Sequence, residues 1–363
     1  LSLVPALLVL GLATACSQAP PYDPIQDWGI ESGFVIAVDS EGFSLPTAIA
    51  LVPNPGDASY DPIYFVTELQ GKVKVVTNDR SIHTFAENFF DLEPTAKLPA
   101  AAGEVGLAGI CLDPARGYVF VTFAYDDANG ILRNNIMRFE TTPRTFSKEP
   151  VGKISFTDVF SGDEATPSHQ IGACQVDGDL LFVGVADGGK PAFSQITDST
   201  LGKIIRMTLD GDPVADNPFY EIGDNANPSD YVWAMGLRNP FGLKTLDGRV
   251  FVADNGPLLD RFLEARAGND YLWDGSDASI GTNAELVLSP SLGVVQMDHY
   301  PDGSSLFPER FRRSFFLTRS GNFPMTEEPS SRHPPDILTI EFSLEGNRLL
   351  NTPKRFLQYR GTQ

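Results

Sequence analysis

Paired β-rich runs recur along this chain at a spacing of roughly 55 to 70 residues, and that repeat restricts the fold more than any other feature. Ile63–Thr67 is followed by Gly71–Val76, Tyr118–Phe123 by Asn135–Phe139, and Leu180–Val185 by Gly202–Leu209. Val250–Ala253 continues the series, and Phe315–Leu317 is followed by Asp336–Phe342. Each run is bounded by Gly, Pro, Asn or Asp, and long helical periodicity is scarce, so the chain reads as all-β. A unit of strand, polar turn and strand cannot bury its own apolar faces. Stacked around an axis such units become the blades of a β-propeller, here with long loops. The 42% of hydrophobic residues, aromatics among them, are ample for the cores between blades.

A propeller brings the first strands of different blades together at one axis. Some of the polar residues just past such strands, Glu68, Asp126, Asp187, Asp254 and Arg319, would then face a common funnel, while the others follow the preference of hairpin turns for Asp and polar residues. The richest stretch is SHQIGACQVDGDLLFVGVADGG, from Ser168 to Gly189. His169 precedes the tight turn at Asp177, Gly178 and Asp179, and Asp187 follows the strand after it. If the flanking strands pair, imidazole and carboxylate meet at one end of the sheet, as a base with its orienter or as a structural histidine beside a turn aspartate. Farther on, Arg238 and Asn239 interrupt two buried runs, where they are poor core residues unless they meet an anion or backbone carbonyls. The turn at Gly268, Asn269 and Asp270 leads into Tyr271, Leu272 and Trp273, aromatics suited to walling a pocket.

A net charge of −20 argues against nucleic acid and anionic membrane surfaces as partners. An anionic cofactor would need local arginines or a metal ion to hold it. Residues 1–15 are apolar, uncharged and end in small residues before Cys16, the pattern of an exported chain's signal peptide. LATAC resembles a bacterial lipoprotein processing site, so Cys16 is expected to carry lipid and residues 16–28 to form a tether, with the propeller at 29–363. The expected location is the bacterial cell envelope, with membrane contact only through that anchor. Cys111 and Cys174 either form one disulfide or stay as buried thiols.

Several ordered blocks together resemble the soluble glucose/sorbosone dehydrogenase family. GEVGLAG from Gly103 is similar to the family's Gly-[Gln/Glu]-x-Gly-Leu block, and SHQIG to its His-x-x-Gly catalytic block. LGKIIRMTLDGDPVADNPF, from Leu201 to Phe219, resembles its Gly-Lys-[Ile/Val]-Leu-Arg strand and loop. MGLRNPFGL, from Met235, resembles Gly-His-Arg-Asn-Pro-Gln-Gly-Leu, and DNGP with GNDYLWDG resembles the Gly-Pro and Gly-Asn-Tyr-Gly-Trp pair. The resemblance implies a six-bladed β-propeller that oxidises a sugar with pyrroloquinoline quinone (PQQ) and calcium and passes electrons to an external acceptor.

It further implies that His169 is the general base, that Asp187 orients it, and that Arg238 and Asn239 stabilise the oxygen that gains charge on the quinone. Glu104 and Arg319 would also contact the cofactor, and the carbonyls of Gly256 and Pro257 would hold calcium. Ser168 and Leu237 depart from the family's acidic residue and histidine, and the acidic block after Gly-Pro is reduced to Asp260 and Arg261. In the family another strand pair follows the region like DILTIEFSLEGNRLLNTPKRFL. The chain is therefore expected to be a fragment whose last blade is incomplete, with an open strand edge. Two other readings stand beside the dehydrogenase: a non-catalytic lipid-tethered binding propeller, and a calcium-dependent sugar lactonase, which would need several carboxylate or amide ligands.

Overall fold

The computed structural model describes residues 25–88, 104–160, 162–223, 227–303, 306–321 and 333–361. The expected signal peptide and Cys16 lie outside these. The described residues form five antiparallel sheets. Strand β1, Trp28–Ile30, belongs to the last of them. The first sheet is β2 to β5: Pro46–Leu51, Pro62–Glu68, Lys72–Thr77 and Ile82–Glu87. The second is β6 to β9: Leu107–Asp113, Tyr118–Asp126, Leu132–Glu140 and Gly152–Ser155. The third is β10 to β13: Ile171–Asp177, Leu180–Val185, Lys203–Thr208 and Val232–Ala234. The fourth is β14 to β17: Pro240–Leu246, Arg249–Asp254, Asp260–Ala265 and Leu286–Leu288. The fifth runs β18 (Val294–Tyr300), β19 (Ser314–Arg319), β20 (Asp336–Ser343), β22 (Lys354–Tyr359) and then β1, with β21 (Arg348–Leu349) paired to β20.

Each sheet is a blade, and the first strands β2, β6, β10, β14 and β18 stand side by side around the axis. Apolar side chains on the blade faces make one core between each neighbouring pair. Phe65 and Val75 meet Leu107 and Phe123; Phe120 and Ile136 meet Leu181 and Val183. Phe182 and Ile204 meet Val250 and Leu263; Phe251 and Phe262 meet Phe315 and Phe342. Inner strands approach closely where a side chain is missing: a Cβ on Gly109 would lie 2.5 Å from the Gly172 carbonyl of the next blade. Cys111 of β6 and Cys174 of β10 are joined in a disulfide, which settles the open question of their pairing and staples two inner strands.

The fifth blade meets the first differently. Gln296 of β18 accepts from the Ile49 amide at 3.4 Å and donates to its carbonyl at 2.7 Å. Ile49 and Leu51 of β2 are 41% and 64% exposed, so this joint lacks the dense core of the other four.

Five blades form among the described residues, with the late strands β21 and β22 extending the fifth sheet; the sixth blade that the family resemblance implied is not among these residues. The last sheet is also not left with β22 as an open edge. β1 pairs with it in the register Trp28 to Tyr359 and Ile30 to Leu357, so Trp28 belongs to the propeller and not to the tether.

Candidate active site

All five inner strands carry a register irregularity at their first residues: Pro46/Ala48, Leu107/Gly109, Ile171/Cys174, Pro240/Gly242 and Val294/Gln296. A bulge bends a strand and re-aims its side chains. Five of them at the same end of the ring open a cavity of about 510 Å³, within the size of a small-molecule site. Its wall takes residues from every blade: Thr47, Glu104, His169, Arg238, Asn239, Asn255, Gly256 and Ser320 among them.

His169 sits just before β10, in the left-handed region at φ +56°, a costly conformation for a residue with a Cβ and one that clusters at functional sites. The turn is held by its neighbours. The His169 amide donates to Glu104 Oε2 at 2.9 Å, and its carbonyl accepts from the Gly188 amide at 3.1 Å. Antiparallel pairing of β10 and β11 then places His169 opposite Asp187, with Nδ1 and Oδ1 2.7 Å apart. Asp187 is 1% exposed and also accepts from the Gly189 amide and, through Oδ2, from the Trp273 indole at 2.7 Å. With Nδ1 held by the carboxylate, Nε2 has no protein partner among the described residues. That is the arrangement of an oriented base.

Arg238 and Asn239 lie on the strap between β13 and β14. Their amides donate to Asp254 Oδ1 at 3.0 and 2.7 Å, while the Asp187 amide donates to the Arg238 carbonyl at 2.8 Å. Arg261, fully buried, grips the other oxygen of Asp254 at 2.9 Å and also reaches the carbonyls of Gly236 and Tyr271. A charge this deep is tolerable because almost every guanidinium donor is satisfied. The pair thus locks the strap from below. The Arg238 guanidinium donates to the Asn255 carbonyl at 2.7 Å, and the Asn239 side-chain oxygen is buried without a partner.

Gly256 lines the cavity, and its carbonyl lies 3.0 Å from the Ser291 hydroxyl, whose shorter contact, 2.5 Å, is to Asp260 Oδ1. Pro257 is exposed and lies outside the cavity wall. The loop is organised by Asp260, which accepts from the amides of Gly256, Leu292 and Gly293. Burial holds the Asp260 carboxyl above its ordinary range, against the Ser291 hydroxyl and these amides, which favour the charged form. Arg319 does not join the site. It makes a bidentate pair with Asp336 at 2.7 and 2.6 Å, both residues buried, so its charge is committed within the fifth blade. Leu237, which stands where the family resemblance leads one to expect histidine, is fully buried in the core between the third and fourth blades.

Sequence reasoning missed the Trp273 contact to Asp187 and the parts played by Asp260, Asn255 and Arg261. Trp273 had a signal, an aromatic run after a glycine turn, but nothing local joins it to a residue 86 positions away.

A small-molecule quinone fits these residues. The cavity presents a guanidinium, an amide with an unpartnered buried oxygen, a backbone carbonyl and an oriented imidazole, a set that suits a ligand bearing both oxygens and anionic groups. Oxygen donors suited to calcium are present in the same wall, the Gly256 carbonyl and the unpartnered Asn239 side-chain oxygen among them.

The fold and site define a β-propeller with an axial small-molecule cavity and a histidine–aspartate pair at its wall. The model of the Glucose / Sorbosone dehydrogenase family matches residues 44–285, and the chain belongs to that family. It is 29% identical over 114 residues to aldose sugar dehydrogenase YliI of Escherichia coli (strain K12), a match that spans 30% of each chain. The PQQ-bound aldose sugar dehydrogenase of Streptomyces coelicolor shares the fold at TM-score 0.64 and 21% identity, over 93% of this chain and 86% of that one. The apo-form of the soluble aldose sugar dehydrogenase of Escherichia coli does so at 0.64 and 16%, over 90% and 89%.

Proposed function

We propose that this chain is a PQQ- and calcium-dependent sugar dehydrogenase of the cell envelope, oxidising an aldose hydroxyl and passing the electrons to an external acceptor. The observation that carries the reading is the 2.7 Å His169–Asp187 pair set in one cavity wall with Arg238 and Asn239. When bound, PQQ supplies a two-electron acceptor for the hydride leaving the sugar carbon. His169 takes the hydroxyl proton on Nε2, and Asp187 keeps the imidazole in the tautomer that leaves this nitrogen open. Arg238 and Asn239 would hold a cofactor oxygen with donors already fixed by Asp254, so little reorganisation is needed as charge grows there. Glu104 supports the His169 turn from the cavity wall, and the Gly256 carbonyl in that wall would hold calcium, whereas Pro257, expected beside it, lies outside the wall. A lipid on Cys16 would tether the enzyme. The His169, Arg238 and Asn239 set in one wall favours this reading over a lactonase, which would need several carboxylate or amide side chains as direct metal ligands.

Reconstitution tests it. Adding PQQ and calcium to the apo-protein is expected to give a bound-quinone absorbance and aldose-dependent dye reduction, with magnesium a poor substitute. His169→Ala is expected to keep the absorbance and lose on the order of 100-fold or more in turnover. Quinone binding without dye reduction in the native protein would favour the binding propeller.

A further inference from the structure

We infer that Trp273 is a positioning residue for the base: its indole N–H fixes the Asp187 carboxylate, and through it the ring of His169. The consequence for turnover rests on the dehydrogenase reading; the consequence for His169 does not. The two oxygens of Asp187 are unequally served. Among the described residues Oδ1 takes both the His169 ring and the Gly189 amide, whereas Oδ2 takes only Trp273, at 2.7 Å. Both side chains are almost fully buried, Asp187 1% and Trp273 2% exposed, so water has little access to replace the indole. A buried carboxylate oxygen stripped of its one donor turns toward another or binds a proton, and either change alters what Oδ1 offers to His169.

The indole is itself held. Its backbone amide donates to the Gly236 carbonyl at 3.0 Å, and the Met235 and Tyr271 backbones bond alongside. That approach requires glycine at 236: φ is +74°, and a Cβ there would stand 2.0 Å from Asp270 Oδ1. The Arg238 guanidinium lies 5.7 Å from the Trp273 ring centroid, within cation–π range. One side chain therefore links the residue that orients the base to the cation beside it. A ring that only filled space would do as well without its N–H.

The test replaces Trp273 in two ways: Trp273→Phe, and the isostere with benzothiophene for indole, which keeps the shape and lacks the N–H. The chain has four histidines, so ¹⁵N-histidine spectra of the apo-protein can be assigned by His169→Ala. Native His169 is expected to carry its proton on Nδ1, in slow exchange with water. In both variants the two tautomers are expected to mix, with exchange about tenfold or more faster. With PQQ and calcium, kcat is expected to fall about tenfold while KM stays nearly constant, and the pH profile is expected to move. A folded isostere variant with native His169 signals and exchange overturns the inference, even if Trp273→Phe fails to fold. Should the native protein reduce no dye with any aldose, the dehydrogenase reading falls and the ¹⁵N result still decides the part played by Trp273.

Discussion

Arg238 and Arg319 are the two arginines that the family resemblance placed at the cofactor, and the fold separates them. Arg238 keeps part of its guanidinium in the cavity, whereas Arg319 is neutralised by Asp336, which lies directly opposite it in the β19–β20 register. Arg319→Ala is therefore expected to leave quinone affinity unchanged and to destabilise the fold by about 3 kcal/mol, since it strands a buried carboxylate. The cost sits at the low end because Arg355 still reaches Asp336 at 3.2 Å. Quinone titration and thermal unfolding of the same variant separate the two roles; weakened binding with native stability would return Arg319 to the site. His169, Asp187, Arg238 and Asn239 were legible because each lies in a short block beside a strand end. Trp273 and Arg261 were not, since their partners come from other turns of the chain and only packing reveals them.

The second and third strands of the blades were legible as apolar runs, paired in all blades but the fourth; the inner strands β2, β6, β10, β14 and β18, which precede each of those runs, and the bulges at their starts were not, although they shape the cavity. A bulge leaves no composition signal when the extra residue is Thr47, Ala108 or Val295. Strand β18 also carries a consequence for stability that alternation alone hides. His299 is half-buried against Phe315, and its Nε2 is buried without a partner. Burial, and then the charge of Lys244, hold its pKa below the usual 6.5, against Asp298 and Asp247. In the unfolded chain the imidazole takes up a proton near its ordinary value, while the folded one resists. Its contribution to stability is thus present above about pH 6.5 and is lost as pH falls through the lower folded value. Unfolding free energies measured from pH 7.5 down to 5 should decline more steeply for the native protein than for His299→Gln. Parallel curves would mean that His299 titrates alike in both states.

At the scale of the whole molecule, the repeat announced five units, four of them strand pairs and one a single run at Val250–Ala253, and the resemblance added a sixth blade that the described residues do not form. Four joints of the ring are apolar cores, and the fifth rests on Gln296 and on how the last sheet is finished. That finish is β1, whose three residues satisfy the outer edge of β22 and bring Trp28 within 5.3 Å of Tyr359, edge to face. An unpaired edge is a template for another chain, and Ile49 and Leu51 already expose apolar surface on the first blade. Removing the chain up to Glu31 should therefore lower the thermal midpoint and make the protein associate as its concentration rises. Scanning calorimetry and light scattering on the two forms give the answer. A shortened chain that melts at the native temperature and stays monomeric would show that β22 is protected without β1, and that the ring is closed by contacts on its inner strands alone.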